Sequence, residues 1–396
     1  TFGRDYIIPK PFDPRLIAEV PPAVAKAAME SGVAKEPIEN WTKYKDELLE
    51  RLGSDNKIVR LLLNRAKINP KRVVFAEADH LDVLKAAQIV HDEGIAIPIL
   101  LGRRDAIEKL KEEIEFDADV EIIDPKSDEE EARKNTYAKV YWNQRNRRGV
   151  TLYSAQKIMR ERNYFAAMMV NEGDADAMIS GFSRSYPSVV KPVLELIGLA
   201  PDSTRVATTN VMMTKRGPMF LSDTAININP SAEDLTKIAQ MTAGVVKMFG
   251  MEPVMAMISY SNFGSSKNQT AIKVREAVNY LHKRHPNLLV DGELQADFAL
   301  NREMLQDTFP FSKLAGKKVN TLIFPNLESA NITYKLMKEL NNSDSIGPIM
   351  MGLRKPVHIL QLDASVDEIV NMTAIAVIDA QQKEKKELEN KAAVEK

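Results

Sequence analysis

Apolar positions along the chain fall into two patterns, short unbroken runs and longer stretches with helical spacing, and the two patterns take turns. From Trp41 the spacing is helical, with Tyr44, Leu48, Leu49 and Leu52. Val73, Val74 and Phe75 then read as a buried strand. Val83, Ala86, Ala87 and Val90 return at helical spacing, 95–101 is a second strand, and a helix over 105–115 follows. Helices near 129–145, 154–171 (a long one) and 188–197 come next, with the strand 177–179 between the last two. Strand-like 206–213 and 219–221 precede a helix that Ser231 opens, with Asp234 three residues on at capping-box spacing. Further units are 254–259, 271–285, 288–290, 321–324, 332–340 and a terminal helix from Val366. Strands alternating with helices predict an α/β protein with a largely parallel sheet covered on both faces. No internal repeat is present.

The first forty residues break this pattern. Pro9, Pro11, Pro14, Pro21, Pro22 and Pro37 surround one short Ala-rich helix, 23–31, that ends before Gly32, so the segment reads as a connecting arm too short to own a core. The tail 381–396 is rich in Glu and Lys and reads as a solvated helix end or a frayed terminus. Residue 1 is Thr and the first methionine is Met29, so processing or a cut from a longer polypeptide is expected.

Composition narrows the function classes. With 396 residues the chain suits two domains, and 44% apolar against 28% charged residues excludes disorder over most of its length. Fifty-four basic residues against 55 acidic ones leave a net charge of −1, so no global field draws the chain to nucleic acid or an anionic membrane. Small molecules and other subunits are the expected partners. Cysteine is absent, which removes disulfides, thiolate metal sites and a cysteine nucleophile and suggests a reducing compartment. Apolar runs stay far below the roughly 18 residues of a membrane span, and no signal sequence opens the chain, so the cytoplasm is the expected location.

Open parallel sheets bind ligands beyond the carboxyl ends of their strands, which singles out four segments. Ser180, Gly181, Phe182 and Ser183 follow the strand 177–179. Ser259, Tyr260, Ser261 and Asn262, with Gly264, Ser265, Ser266 and Lys267, follow 254–258. The others are 326–331, after 321–324, and the stretch from Gly347 through Leu353 to Gln361 that leads into the last helix. Glycines and hydroxyls before a helix leave backbone N–H groups free for an anion, and Lys267 adds charge, although the same composition caps ordinary helices. Neither GxGxxG nor GxxxxGK[ST] occurs, which withdraws support for nucleotide-driven chemistry. His282 and His285 are close in sequence but lack carboxylate support, and no metal site is expected. Arg145, Arg147 and Arg148 precede Gly149, either to hold a phosphate or to end a helix in solvent. Glu368 lies three residues after Ser365; local sequence favours a capping box, and a proton-accepting carboxylate at the mouth of the sheet is the alternative.

At these residues the chain resembles phosphate acetyltransferases. The resemblance runs from Ala76 and Glu77 through RRGVT (147–151), YFAAMMV (164–170), DAMISG (176–181), SYSNFGSSK (259–267), DGELQAD (291–297), IFPNLESANITYK (323–335) and GPIMMGLRKPV (347–357), and covers about residues 41–380. It implies two α/β domains with a cleft between them, in the fold shared with isocitrate and isopropylmalate dehydrogenases. Domain I would be 41–200 with 348–396, and domain II, inserted, 201–347. It implies binding of coenzyme A thioesters, acetyl transfer between coenzyme A and phosphate, and a dimer. The arm, IPKPFDPRL (8–16) and AVAKAAMESGVA (23–34), resembles the closing segment of bacterial malic enzymes. Together these imply the joint and acetyltransferase-like domain of a multidomain malic enzyme, whose NAD(P), metal and malate sites would lie upstream.

The resemblance carries over unevenly. Arg145, Lys191 and Gln361 stand at positions matched to the family's site and Glu368 at that of its base, where the family has Asp; with Ser180, Gly181, Ser259, Ser261, Gly264, Ser265, Lys267 and Asn331 from the segments after the strands, the first three complete the candidate set for acyl-coenzyme A or phosphate binding. Lys191 stands for a second phosphate-binding arginine and loses its bidentate fork. Asp82 reverses the sign of a coenzyme A-binding arginine, and Gln361 and Leu362 replace the family's Ser-Arg pair. Attack of a thiolate on an acyl phosphate needs neutralised phosphate, a base and donors where negative charge grows, and losing one such donor costs about 2.7–4 kcal/mol of barrier. The expectation is therefore an acetyl-coenzyme A-binding regulatory domain in cis with a malic enzyme. A working phosphate acetyltransferase and a purely structural oligomerisation domain are the alternatives.

Overall fold

The computed structural model describes residues 14–41, 44, 47–48, 54–341, 345–362 and 364–394, which belong to two compact units, 1–61 and 62–396. In the first unit a helix, Pro14–Glu30, begins earlier than the 23–31 expected and contains Pro21 and Pro22; Gly32, at φ 73°, follows its end. The helix expected from Trp41 through Leu52 falls partly outside the described residues. The unit ends at residue 61, beyond the arm boundary expected at 40.

The second unit holds two sheets. The first has the order β11-β4-β1-β2-β3 and is parallel throughout, with β1 Lys71–Phe75, β2 Ala96–Leu101, β3 Glu121–Ile123, β4 Ala177–Ser180 and β11 Val357–Ile359. The second has the order β10-β5-β6-β9-β7-β8, with β5 Ala207–Thr214, β6 Gly217–Ser222, β7 Val254–Ile258, β8 Leu289–Leu294, β9 Thr321–Ile323 and β10 Ser345–Met351. Here β6, β9, β7 and β8 are parallel, while β5 runs antiparallel to both β6 and β10. The expected parallel character thus fails at one edge. The cause is a two-residue hairpin: Thr214 Oγ1 donates to Gly217 O at 2.8 Å and accepts from Arg216 N–H at 3.1 Å, with Gly217 at φ 98°.

All of β5 to β10 lie between β4 and β11 in sequence, so the second sheet is an insertion before the last strand of the first. Residues 348–351 pair with β5, and the return to the first sheet comes at 352–356 rather than at 348. The stretch 347–361, for which the sequence suggests no strand, contains most of β10 and all of β11. Gly347 and Pro348 carry no strand signal, yet they sit where the β10–β5 register shifts between Ile346 and Ile349, a place where proline's missing N–H breaks no ladder.

The long helix expected over 154–171 is two helices, Leu152–Ile158 and Arg162–Glu172. Glu161 separates them, its carboxylate accepting from Asn163 and Tyr164 N–H as an N-cap. In the second, every residue from Asn163 to Val170 is buried, which explains its lack of a polar face. The helix expected over 332–340 starts at Leu327, where Asn326 Oδ1 accepts from Ser329 N–H. Helix Val366–Val394 packs its buried stretch, including Ile369, Ile375 and Ile378, on the first sheet and β10. Among the described residues no helix is long and apolar enough to cross a membrane, and no group of three His, Asp or Glu side chains is placed to hold a metal.

Candidate functional site

Each sheet reverses its strand order once. In the first sheet this happens between β1 and β4, where a crevice opens beyond the carboxyl ends of the strands. Glu77, two residues past β1 and 1% exposed, fills it. Its Oε2 accepts from Gly181 N–H at 2.9 Å and Phe182 N–H at 2.6 Å, and its Oε1 accepts from Ser183 Oγ at 2.8 Å. Ser180 turns its hydroxyl away, to Asn163 Oδ1 at 2.7 Å. Gly181, at φ 100°, admits no side chain, because a Cβ would stand 2.7 Å from Ile359 Cγ2.

The loop after β7 repeats the arrangement. Glu293, in β8 and fully buried, accepts from Ser261 Oγ at 2.8 Å and Gly264 N–H at 2.9 Å through Oε1. Arg275 grips both of its oxygens, at 2.7 and 3.0 Å. Burial works to raise the Glu293 carboxyl, yet Arg275 and these donors hold it below the usual range. Ser265 Oγ lies 3.0 Å from Ser261 Oγ, and Lys267 is exposed. The main-chain donors expected to be free for an anion at Gly181 and Gly264 are therefore occupied by the chain's own carboxylates. Neither glutamate was singled out as a candidate from its local sequence, although a charge directly after or inside an apolar strand was the available signal.

The reversal in the second sheet lies between β7 and β9, and there a cavity of about 1010 Å³ stays open. Ser259, Asn326, Lys215 and Arg216 line it together with Met219 and Leu322.

Three expected residues converge on helix Leu327–Asn341. Asn331 Nδ2 donates to Thr224 O at 3.0 Å, Gln361 Nε2 to Tyr334 Oη at 2.6 Å, and Lys338 Nζ reaches Glu368 Oε1 at 3.4 Å. Residues 331, 334 and 338 share one helix face, and Leu360 N–H on Ser180 O sets Gln361 beside Gly181. Glu368 caps its own helix: its Oε2 accepts from Ser365 N–H at 2.9 Å, and its N–H donates to Ser365 Oγ at 3.2 Å. Nearby, Thr224 Oγ1 donates to Asn210 Oδ1, and Asn210 Nδ2 is buried without a hydrogen-bond partner among the described residues. The Tyr186 hydroxyl is likewise buried with no partner among the described residues, and it is pushed up by burial and by the charge of Asp223. Sequence reading passed over both, since neither stands in a glycine- or hydroxyl-rich run.

Arg145 sits elsewhere, at Glu195, one helical turn from Lys191. Arg145 Nη2 is 3.3 Å from Glu195 Oε1, while Tyr141 and Tyr164 donate to Oε2 at 3.0 and 2.7 Å. Burial works to raise the Glu195 carboxyl, and the tyrosines, Arg145 and Lys191 hold it down. Arg147 and Arg148 are exposed. His282 Nε2 bonds Val290 O at 2.8 Å, a structural contact.

Residues 57–377 match the model of the phosphate acetyl/butaryl transferase family. The chain belongs to that family. Among its relatives is a phosphate acetyltransferase of Thermoanaerobacterium thermosaccharolyticum, 36% identical over 82% of this chain and 99% of that protein. A phosphotransacetylase of Streptococcus pyogenes superposes with a TM-score of 0.77 at 34% identity, covering 83% of this chain and all of the other. NADP-dependent malic enzymes of Haemophilus influenzae and Escherichia coli are 39% and 41% identical over 96% of this chain. The chain spans about half the length of those malic enzymes, which carry this acetyltransferase-like domain in cis with a malic enzyme domain. The two α/β layers are thus those of a phosphate acetyl/butaryl transferase. Within that fold Asp82 is half-buried in the first turn of helix Leu81–Asp92, and Leu362 is 61% exposed.

Proposed function

We propose that this chain is the regulatory part of a decarboxylating malic enzyme, a domain that binds acetyl-coenzyme A or a related thioester and does not transfer its acyl group. One observation carries the reading: the carboxylate aligned with the family's base is committed to its own helix. Glu368 accepts from Ser365 N–H and pairs with Lys338, so accepting a thiol proton would cost the chain the ion pair and the charge on its cap. Gln361 is turned to Tyr334, Arg145 to Glu195, and Asp82 puts negative charge where the family resemblance implies an arginine. Binding keeps its support in two of the buried polar atoms that have no hydrogen-bond partner among the described residues, Tyr186 Oη and Asn210 Nδ2, and in the open cavity at β7 and β9.

In this reading the thioester shifts malate decarboxylation through a coupling free energy of about 1–3 kcal/mol. The nicotinamide and divalent metal sites belong to the malic enzyme domain in cis, the protein self-associates as a dimer, and it works in the cytoplasm. Titrating malate decarboxylation by the intact enzyme with acetyl-coenzyme A tests the coupling; an unchanged rate at millimolar effector removes it.

Near full-length similarity to phosphate acetyltransferases favours a second reading, an active transferase with Glu368 as base. It requires acetyl-coenzyme A formation from acetyl phosphate that Glu368→Gln abolishes.

A further inference from the structure

A cavity of about 680 Å³ lies between helices Ala232–Met248 and Val366–Val394 and the segment that joins β10 to β11. None of Asn331, Gln361 and Glu368 lines it. Its buried polar group is His358, 1% exposed. Met350 N–H donates to His358 Nδ1 at 3.2 Å, so a neutral ring carries its proton on Nε2. That Nε2 has no hydrogen-bond partner among the described residues. Asp379 Oδ2 is 3.6 Å away, too far for a hydrogen bond, and already takes Lys383 Nζ at 2.9 Å.

Asp379 is an acceptor at neutral pH: burial works to raise its carboxyl, and the charge of Lys383 leads what holds it down to about 2. The cavity thus offers an N–H donor and a carboxylate acceptor side by side, neither satisfying the other. A ligand edge with an acceptor next to a donor would satisfy both. Adenine has such an edge, a ring nitrogen beside an exocyclic amino group; a 6-oxo purine in the same pose would turn its carbonyl toward the carboxylate and its ring N–H toward the imidazole N–H. Met241 and Met351 give the walls soft apolar surface for a flat ring. Lys237 and Lys386 stand on the lining; Lys386 is 66% exposed, reaching Asp202 at 3.0 Å.

We propose that this cavity binds an adenine nucleotide, with the base edge on His358 Nε2–H and Asp379 and the phosphates on Lys237 and Lys386. The site goes beyond the thioester reading. A free nucleotide and the adenosine end of coenzyme A share the required chemistry.

Calorimetric titrations of this chain with ADP, IDP and coenzyme A test the site. ADP is expected to bind with a submillimolar Kd and IDP at least tenfold more weakly. His358→Phe should abolish ADP binding, and Lys386→Glu, on the surface, should weaken it roughly tenfold. If coenzyme A loses affinity with His358→Phe, the adenosine end of the coenzyme is the occupant; if only ADP loses affinity, a free nucleotide is. Equal affinity for ADP and IDP, binding indifferent to both substitutions, or no saturable binding of ADP or coenzyme A at millimolar concentration would overturn the proposal. Acetyl-coenzyme A binding that survives His358→Phe would leave the cleft reading standing by itself.

Discussion

Gly181 N–H stands 2.9 Å from Glu77 Oε2, so the chain closes its own crevice at the strand-order reversal of the first sheet. Gly264 and Glu293 repeat the relationship in the second sheet, also at 2.9 Å. In both places a glutamate from the end of one parallel strand, or from within it, satisfies the loop that follows its neighbour. The glycine-rich loops are therefore fixed parts of the scaffold, with their donors spent.

Glu77→Gln keeps the shape and replaces one acceptor oxygen with an N–H group that faces other N–H groups. The loss of stability should be about 1–3 kcal/mol, read as a lower urea midpoint at unchanged m-value. A midpoint equal to that of the parent chain would show that water satisfies the loop instead.

Glu293 predicts an acid-sensitive fold. Its carboxyl lies below the usual range in the folded chain, so its contribution is complete above the unfolded value of about 4.3 and is lost as pH falls through the folded value. Glu293→Gln should flatten the stability profile across that window. Arg275→Met should cost about 2–3 kcal/mol near neutral pH, less than a fully buried pair because the guanidinium is 35% exposed. Urea melts between pH 3 and 7 give both results.

Much of the fold was legible because apolar runs and helical spacing took turns. Elements such as β1, β4 and the helix that Ser231 caps stand where their residues place them. The antiparallel edge was not legible, since hairpin and crossover connections differ in geometry rather than in apolar content. β10 was hidden because Gly347 and Pro348 carry no strand signal, and they form an irregular strand. At the site, local sequence favoured the cap at Ser365 and Glu368, and the cap is present. The partners were not visible: Glu195 lies 50 residues from Arg145, and Tyr334 lies 27 from Gln361.

Glu195 pairs with Arg145 and lies one helical turn from Lys191, the two cations to which the family resemblance gives phosphate. Removing its charge should strengthen inorganic phosphate binding by about 1 kcal/mol, roughly fivefold. Glu195→Gln compared with the parent by phosphate titration in low salt measures this, and an unchanged affinity would mean that the two cations do not form a phosphate site.

Ser365→Ala should destabilise the last helix by about 1 kcal/mol. Glu368→Gln should cost less than that, because the pair with Lys338 is partly exposed and an amide oxygen still accepts from Ser365 N–H. Thermal melts of the two variants and their combination should show less than additive losses, since the side chains serve one cap.

A single calorimetric titration of acetyl-coenzyme A into the chain in phosphate buffer tests the central claim most directly. Binding without transfer predicts discrete heats that saturate and return to baseline after each injection. Sustained heat after each injection, the signature of turnover, or no heat at millimolar concentration would contradict it.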